Sequence, residues 1–264
     1  MKSDAHLHFQ VETSWMTATG ISDVGNVRSG NEDAILLDEA GNFMLLADGM
    51  GGHERGEEAS QTALQVIQQY FQPRAVQEKL MDITKVEGVP AEIVCLSTLA
   101  GEAVDEANSV LYTRNKQAQL KRFMGTTVVG LVPVKEGDYM FWFHVGDSRL
   151  YRWRDSRLER LTSDHSAYAQ WVNQGQEGTK PSKNIITKAI GPKVALSADT
   201  GWAKRQQGDI YILCSDGLTD MITDDQIAAI LKAEEIVDNI ATRLVEAAKD
   251  AGGKDNTSVI VCRV

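Results

Sequence analysis

The segment FMLLADGMGGHERG, residues 43–56, sets an apolar run against a carboxylate and a cluster of glycines. Phe43–Ala47 reads as a strand covered on both faces, because a short apolar run bounded by turn-forming residues is the pattern of a buried strand. Glu57–Phe71 follows, with Ala63, Leu64, Ile67, Tyr70 and Phe71 on one face at helical spacing. A strand, a glycine turn and an amphipathic helix in direct succession call for a sheet with helices packed on it. Asp48 sits at the junction, where a carboxylate serves either as a turn former or as part of a chemical site.

Outward from that junction the chain continues as blocks of strands and helices. Strand-like runs are Trp15–Ser22, Ile35–Asp38 and Phe43–Ala47; then Gly125–Val134, Tyr139–Val145, Arg149–Trp153 and Arg157–Leu161; then Thr200–Ala203, Ile210–Cys214 and Ser258–Val264. They are rich in β-branched and aromatic residues and are bounded by Gly, Asp and Asn. Asp38–Asn42 and Gly137–Tyr139 look like hairpin turns, which makes the sheets antiparallel. Helices are expected at Glu57–Phe71 and Ala91–Gln117, then at Thr223–Leu231, with Thr223 as N-cap, and at Glu235–Ala251, stopped by Gly252-Gly253. The order predicts an α+β fold: two antiparallel sheets packed as a sandwich, with a pair of helices on each outer side, four layers in all. Residues 162–199 hold little strand signal and are expected to form a loop-rich insert near the site.

The chain has 264 residues, of which 42% are hydrophobic, enough for a substantial core in a single domain over 1–264. Its net charge of -10 argues against nucleic acid and anionic membrane as partners, since phosphate backbones are held by Lys and Arg. The N-terminal MKSDAHLHFQVETS has no apolar core of a signal peptide, and the apolar run Tyr139–Gly146 is too short to cross a bilayer. Cys95, Cys214 and Cys262 form no CxxC pair and read as buried reduced thiols, so a cytoplasmic protein is expected. His6 and His8 read as part of a ragged terminus, and His165 as a loop residue.

Asp48 has counterparts. Asn31-Glu32-Asp33 precedes a strand, Asp147 follows Met140–Val145, Asp216 follows Ile210–Cys214, and Asp255 precedes the final strand. Singly, each is explained as a turn former. Together, if the strand ends converge, their repulsion in a partly dry site demands cations. Carboxylates with a backbone carbonyl suit Mg²⁺ or Mn²⁺, and no His/Cys set has zinc spacing. Such a pair of ions activates water and clamps a phosphoryl or carbonyl oxygen. A phosphate-cradling glycine loop fits worse. Gly51 and Gly56 have the P-loop spacing, but Glu57-Glu58 stand where Lys and Ser/Thr are needed, and Glu54 breaks GxGxxG. Arg28 is the cation placed to grip a phosphate.

The motifs SDVGNVRSGNEDA, ADGMGGHERGEEAS, GTT, GDSR, DHS, SDGL and DNTS occur in that order. In this the chain resembles, from about Trp15 to Val264, the bacterial metal-dependent Ser/Thr protein phosphatases of the type 2C (PPM) family. The resemblance implies a β-sandwich with helices on both outer faces and attack on phosphorus by a metal-bridging water, without a phosphoenzyme. It implies that Asp48 bridges two Mn²⁺ or Mg²⁺ ions, that the Gly49 carbonyl completes one, and that Asp216 and Asp255 bind the other. Asp33, with Glu32 beside it, would hold metal-bound waters, and Arg28 the phosphate. Asp147 with Asp216 matches a third, weaker metal position. The implied partners are proteins phosphorylated on Ser or Thr, including a cognate kinase or its substrate, and the implied state is a monomer. Two features depart from the pattern: Met50 stands where many eukaryotic members carry a histidine acid, with His53 three residues on, and the insert between His165 and Gly191 reads as a short flap, at about 162–191. A non-catalytic phosphoprotein-binding module on the same fold, or an enzyme for small phosphoesters, are the other readings.

Overall fold

The computed structural model describes residues 6–51, 55–134 and 136–264. The chain opens with strands β1 (His6–Glu12), β2 (Thr17–Asp23), β3 (Asp33–Leu37) and β4 (Met44–Met50), then helices α1 (Arg55–Tyr70), α2 (Pro73–Met81) and α3 (Ala91–Gln117). Strands β5 (Gly125–Thr126), β6 (Val128–Val134), β7 (Tyr139–Val145), β8 (Arg149–Arg154) and β9 (Arg157–Arg160) follow, then α4 (Ala167–Asn173). The last part holds β10 (Asp199–Lys204), β11 (Ile210–Cys214), α5 (Asp216–Thr219), α6 (Asp224–Ala233), α7 (Val237–Asp250) and β12 (Thr257–Arg263).

The strands form two sheets, ordered β1-β2-β12-β11-β8-β9 and β10-β7-β6-β4-β3, with β5 paired to β4 off the second path; the pairings are antiparallel. Side-chain alternation explains why the central strands read as unbroken apolar runs. On β4 and just before it, Phe43, Leu45 and Ala47 face α1 and α3, while Met44 and Leu46 face the other sheet. On β11 and β12, Ile210, Ile212, Val259 and Val261 pack against α6 and α7, while Tyr211, Leu213 and Ile260 fill the space between sheets. The result is three apolar layers, one between the sheets and one under each helix group, in an αββα sandwich. Phe71 stacks on Phe143 at 5.1 Å in the α1 layer. A capping box on Thr223 and Gln226 starts α6 as the sequence indicates.

The structure corrects the sequence reading in places. The β4 strand does not stop at Ala47 but runs through Asp48 to Met50, because it changes partner: Met44–Leu46 pair with β6 and Gly49–Met50 pair with β5. The run Gly125–Val134 is accordingly two strands, with Thr127 at the break. His6 and His8 lie in β1, an edge strand, and not in a ragged terminus; His8 Nε2 and Gln10 tie it to Asp238 of α7. Helix α2, started by Pro73, adds to the helices expected from sequence, and the flap helix α4, capped by Ser166, lies within the stretch expected to be loop-rich. His53 lies outside the described residues. No helix among the described residues is long and apolar enough to cross a membrane.

Leu46 is fully enclosed between the sheets. Leu46→Ala is expected to lower unfolding stability by roughly 3 kcal/mol in urea titrations. A loss under about 1 kcal/mol is inconsistent with a tightly packed layer there.

Candidate metal centre

The acids gather where β3, β4, β7, β11 and β12 begin or end at one edge of the sandwich. Asp33 and Asp48 are direct partners across the β3–β4 ladder. Asp147 lies in the β7–β8 turn, Asp216 opens α5 after β11, and Asp255 precedes β12. Hydroxyls fix this array. Ser215 Oγ donates to Asp33 Oδ2 at 2.8 Å and accepts from the Ser258 amide at 3.0 Å. The Asp48 amide donates to Thr127 Oγ1 at 2.9 Å, and the Asp48 carbonyl accepts from Thr126 Oγ1 at 2.8 Å. Thr127 Oγ1 also bonds Ser148 Oγ, beside Asp147, at 2.7 Å. These hydroxyl residues stand inside the GTT, GDSR and SDG motifs; their roles were not assigned from sequence, because a hydroxyl's partner is set by strands distant in the chain.

Two glycines allow the close approach that the cleft needs. A Cβ on Gly49 would sit 2.1 Å from the Gly56 carbonyl oxygen, and a Cβ on Gly217 would sit 1.8 Å from that of Asn256. Either side chain would push the backbone apart beside an acid. Glu32, just before β3, packs against the start of α1, where the Gly56 backbone bonds its carboxylate, and its own carbonyl accepts from Ser60 Oγ at 2.7 Å.

Crowding shows in the acidities. Burial, with repulsion from Asp216 and Asp255, pushes Asp33 up to about 7 despite the hydroxyl bond from Ser215. Burial, then Asp216 and Asp164, pushes Asp147 up to about 7. Burial, then Asp255 and Asp220, pushes Asp216 up to about 6. Asp48, which keeps a partial opening to solvent, is held well above the usual carboxylate range by enclosure and by Asp33, Asp216, Asp147 and Asp255. Asp147 Oδ1 is buried without a hydrogen-bond partner. Arg28, half-exposed at the rim, donates from Nη2 to Asp255 Oδ2 at 2.7 Å.

Among the described residues, no three His, Cys, Asp or Glu side chains already form a set arranged to hold a metal ion. The donor chemistry nevertheless fits hard divalent cations: five carboxylates in strong mutual repulsion and an orphaned carboxylate oxygen. Zinc-type donors are missing from this group; Cys214, next to Ser215, is a buried thiol pushed up to about 12 by its enclosure.

The flap is anchored to the same edge. Arg149 makes a bidentate pair with Asp164, at 2.9 and 2.7 Å. The Gly146 amide donates to His165 Nδ1 at 3.0 Å, and isolated bridges tie Ser166 to Ile186 and Thr126 to Ile190. Under α4 lies a cavity of about 230 Å³ lined by Asp147, Arg149, Asp164, Lys183, Asp216 and Asp220. His165, read from sequence as a loop residue, bonds the turn that carries Asp147.

The protein phosphatase 2C family model matches residues 26–252. Protein phosphatase PhpP of Streptococcus pneumoniae is 32% identical over 247 residues, covering 90% of this chain and 94% of that one. Serine/threonine protein phosphatase PstP of Mycobacterium tuberculosis is 30% identical over 249 residues, 92% of this chain and 44% of that protein. The S. agalactiae serine/threonine phosphatase superposes with a TM-score of 0.80 at 30% identity, over 95% of this chain and 100% of that one. The PstP catalytic domain in complex with two manganese ions superposes with a TM-score of 0.73 at 31% identity, over 94% and 97%. The chain belongs to the protein phosphatase 2C family.

The raised acidities have a measurable sign. With Asp33 and Asp147 raised to about 7, part of their protons stays on at about pH 6.5 and has to leave when a divalent cation binds. Mn²⁺ binding to EDTA-stripped protein is expected to release protons at about pH 6.5, and its apparent affinity is expected to climb as pH rises through about 7. Calorimetry in buffers of different ionisation heat reads both. Binding that is flat with pH and releases no protons contradicts the crowded cluster.

Proposed function

We propose that this protein is a metal-dependent Ser/Thr protein phosphatase acting on phosphoserine and phosphothreonine side chains, and that residues 1–264 form its catalytic domain. The observation that carries the reading is the meeting of Asp33, Asp48, Asp147, Asp216 and Asp255 at one sandwich edge, with Arg28 at the rim, in a chain of this family. The names of its relatives support the protein substrate.

In this reading Asp48, the Gly49 carbonyl, Asp216 and Asp255 would hold two Mn²⁺ or Mg²⁺ ions, with Asp48 serving both. Glu32 and Asp33 would hold waters of that shell, and Asp147 with Asp216 would offer a third, weaker position. When bound, the ions acidify water and neutralise charge on the phosphoryl oxygens. The chain's own groups do the rest. Arg28 leaves Asp255 and takes the phosphate through its planar guanidinium. Ser215 holds the Asp33 carboxylate against turning, and Thr126 and Thr127 hold the Asp48 backbone, so both residues are positioned before substrate arrives. Met50 has no proton to give, so the departing alkoxide of the substrate takes its proton from a donor other than the residue at position 50. The physiological partner is a phosphoprotein, a Ser/Thr kinase or its substrate, in the cytoplasm.

The test is turnover of p-nitrophenyl phosphate and a phosphothreonine peptide with Mn²⁺, with Mg²⁺ and with EDTA. Turnover of both that is lost in EDTA supports the proposal; folded protein inactive in either metal opposes it. Asp216→Asn is expected to cut turnover by at least about 10²-fold. Its metal-free melting temperature should not fall, because the change removes a repelling charge and no apolar packing. Near-normal turnover removes Asp216 from the site.

A further inference from the structure

Arg28 lies on the β2–β3 loop, residues 24–32, and its side chain is 51% exposed. An arginine on a free loop is a weak anion grip, because ordering loop and side chain costs entropy on every binding event. This loop is not free. The Asn26 amide donates to the Gly253 carbonyl at 2.8 Å, and Asn26 Nδ2 donates to the Lys249 carbonyl at 2.8 Å. A Cβ on Gly25, where φ is +78°, would lie 2.3 Å from the Asp255 carbonyl oxygen. The Arg28 loop and the loop before β12 are pressed together along their backbones.

One buried side chain closes the arrangement. Asn256 is 5% exposed. Its Nδ2 donates to the Val24 carbonyl at 3.0 Å and to the Gly30 carbonyl at 2.9 Å, and its Oδ1 accepts from the Glu32 amide at 2.8 Å. Both amide hydrogens are used, on carbonyls at the two ends of the segment with Arg28 between them. The neighbouring residue, Asp255, bonds the Arg28 guanidinium itself. Two consecutive residues therefore hold the base and the head of the same arginine.

We propose that Asn256 is a positioning residue for phosphate: its amide staples the segment from Val24 to Gly30, so that Arg28 meets the anion without a loop-ordering cost. The inference rests on Arg28 as the phosphate grip proposed above. Alanine would leave both carbonyls without their donor. Aspartate would keep the volume and the acceptor for Glu32 while setting an oxygen against two carbonyl oxygens.

The test is inhibition of p-nitrophenyl phosphate turnover by inorganic phosphate, at saturating Mn²⁺, in wild type, Arg28→Ala, Asn256→Ala and the double variant, with melting curves to establish folding. Arg28→Ala is expected to weaken phosphate about tenfold. Asn256→Ala should raise the inhibition constant and KM together by about the same factor, with a smaller change in kcat. In the Arg28→Ala background it should cost less than about twofold. An equal cost in both backgrounds, or a fall in kcat with phosphate inhibition unmoved, overturns the role of Asn256 and leaves that of Arg28 intact. An Arg28→Ala enzyme with wild-type phosphate inhibition overturns the role of Arg28 and the inference with it. If Asn256→Ala does not fold, Asn256→Ser makes the same comparison, since one hydroxyl cannot reach the Val24 and Gly30 carbonyls together and brings no charge.

Discussion

Asp33 and Asp48 face each other across neighbouring strands, with Asp147, Asp216 and Asp255 around them. Like charges directly opposite in a ladder destabilise a sheet, and burial makes the repulsion worse. A fold that holds such a group needs stability from elsewhere, and here it comes from three apolar layers. The central strands are buried on both faces, so each contributes to two layers at once. The acids sit at the strand ends, where the apolar layers stop and solvent or a cation can reach them. That placement keeps the electrostatic cost out of the core.

Orientation comes from the partner switch of β4. On one side β4 keeps β3 as partner through Asp48, so the switch from β6 to β5 changes only the other side. By leaving β6 for β5, β4 brings Thr126 and Thr127 onto both polar groups of the Asp48 backbone. The same threonine reaches Ser148, next to Asp147, so one hydroxyl chain runs between acids contributed by different strand pairs. On the other sheet Ser215 and Ser258 do the corresponding work for Asp33. The flap joins through Thr126 and Ile190 and through His165 and Gly146, so it is tied to the strands that bear the acids.

Much of this was legible. The apolar strands, the paired helices α1 and α3, α6 and α7, and every acid of the cluster stood out from the sequence, because alternation, helical spacing and acids at strand ends are local signals. The elements overlooked have local signals too weak to stand alone. Helix α2 has no fully buried residue, so its apolar stripe is faint, although Pro73 marks its start. Helix α4 is short and polar, although Ser166 caps it. Strand β1 exposes Leu7 and Phe9, and owes its place to pairing with β2 and to Asp238 on a distant helix.

By itself the sequence determined the architecture, the identity of the acids and the family. All three rest on residue type and order, which the chain states outright. The tertiary structure alone decided that Asp33 and Asp48 are ladder partners, that β4 runs past its carboxylate, that Thr126, Thr127 and Ser215 orient the acids, and that Asn256 reaches both ends of the Arg28 loop. The physical reason is the same in each case. A hydrogen bond or a charge repulsion depends on distances of a few ångströms between groups far apart in the chain, and those distances exist only once the sheets have formed.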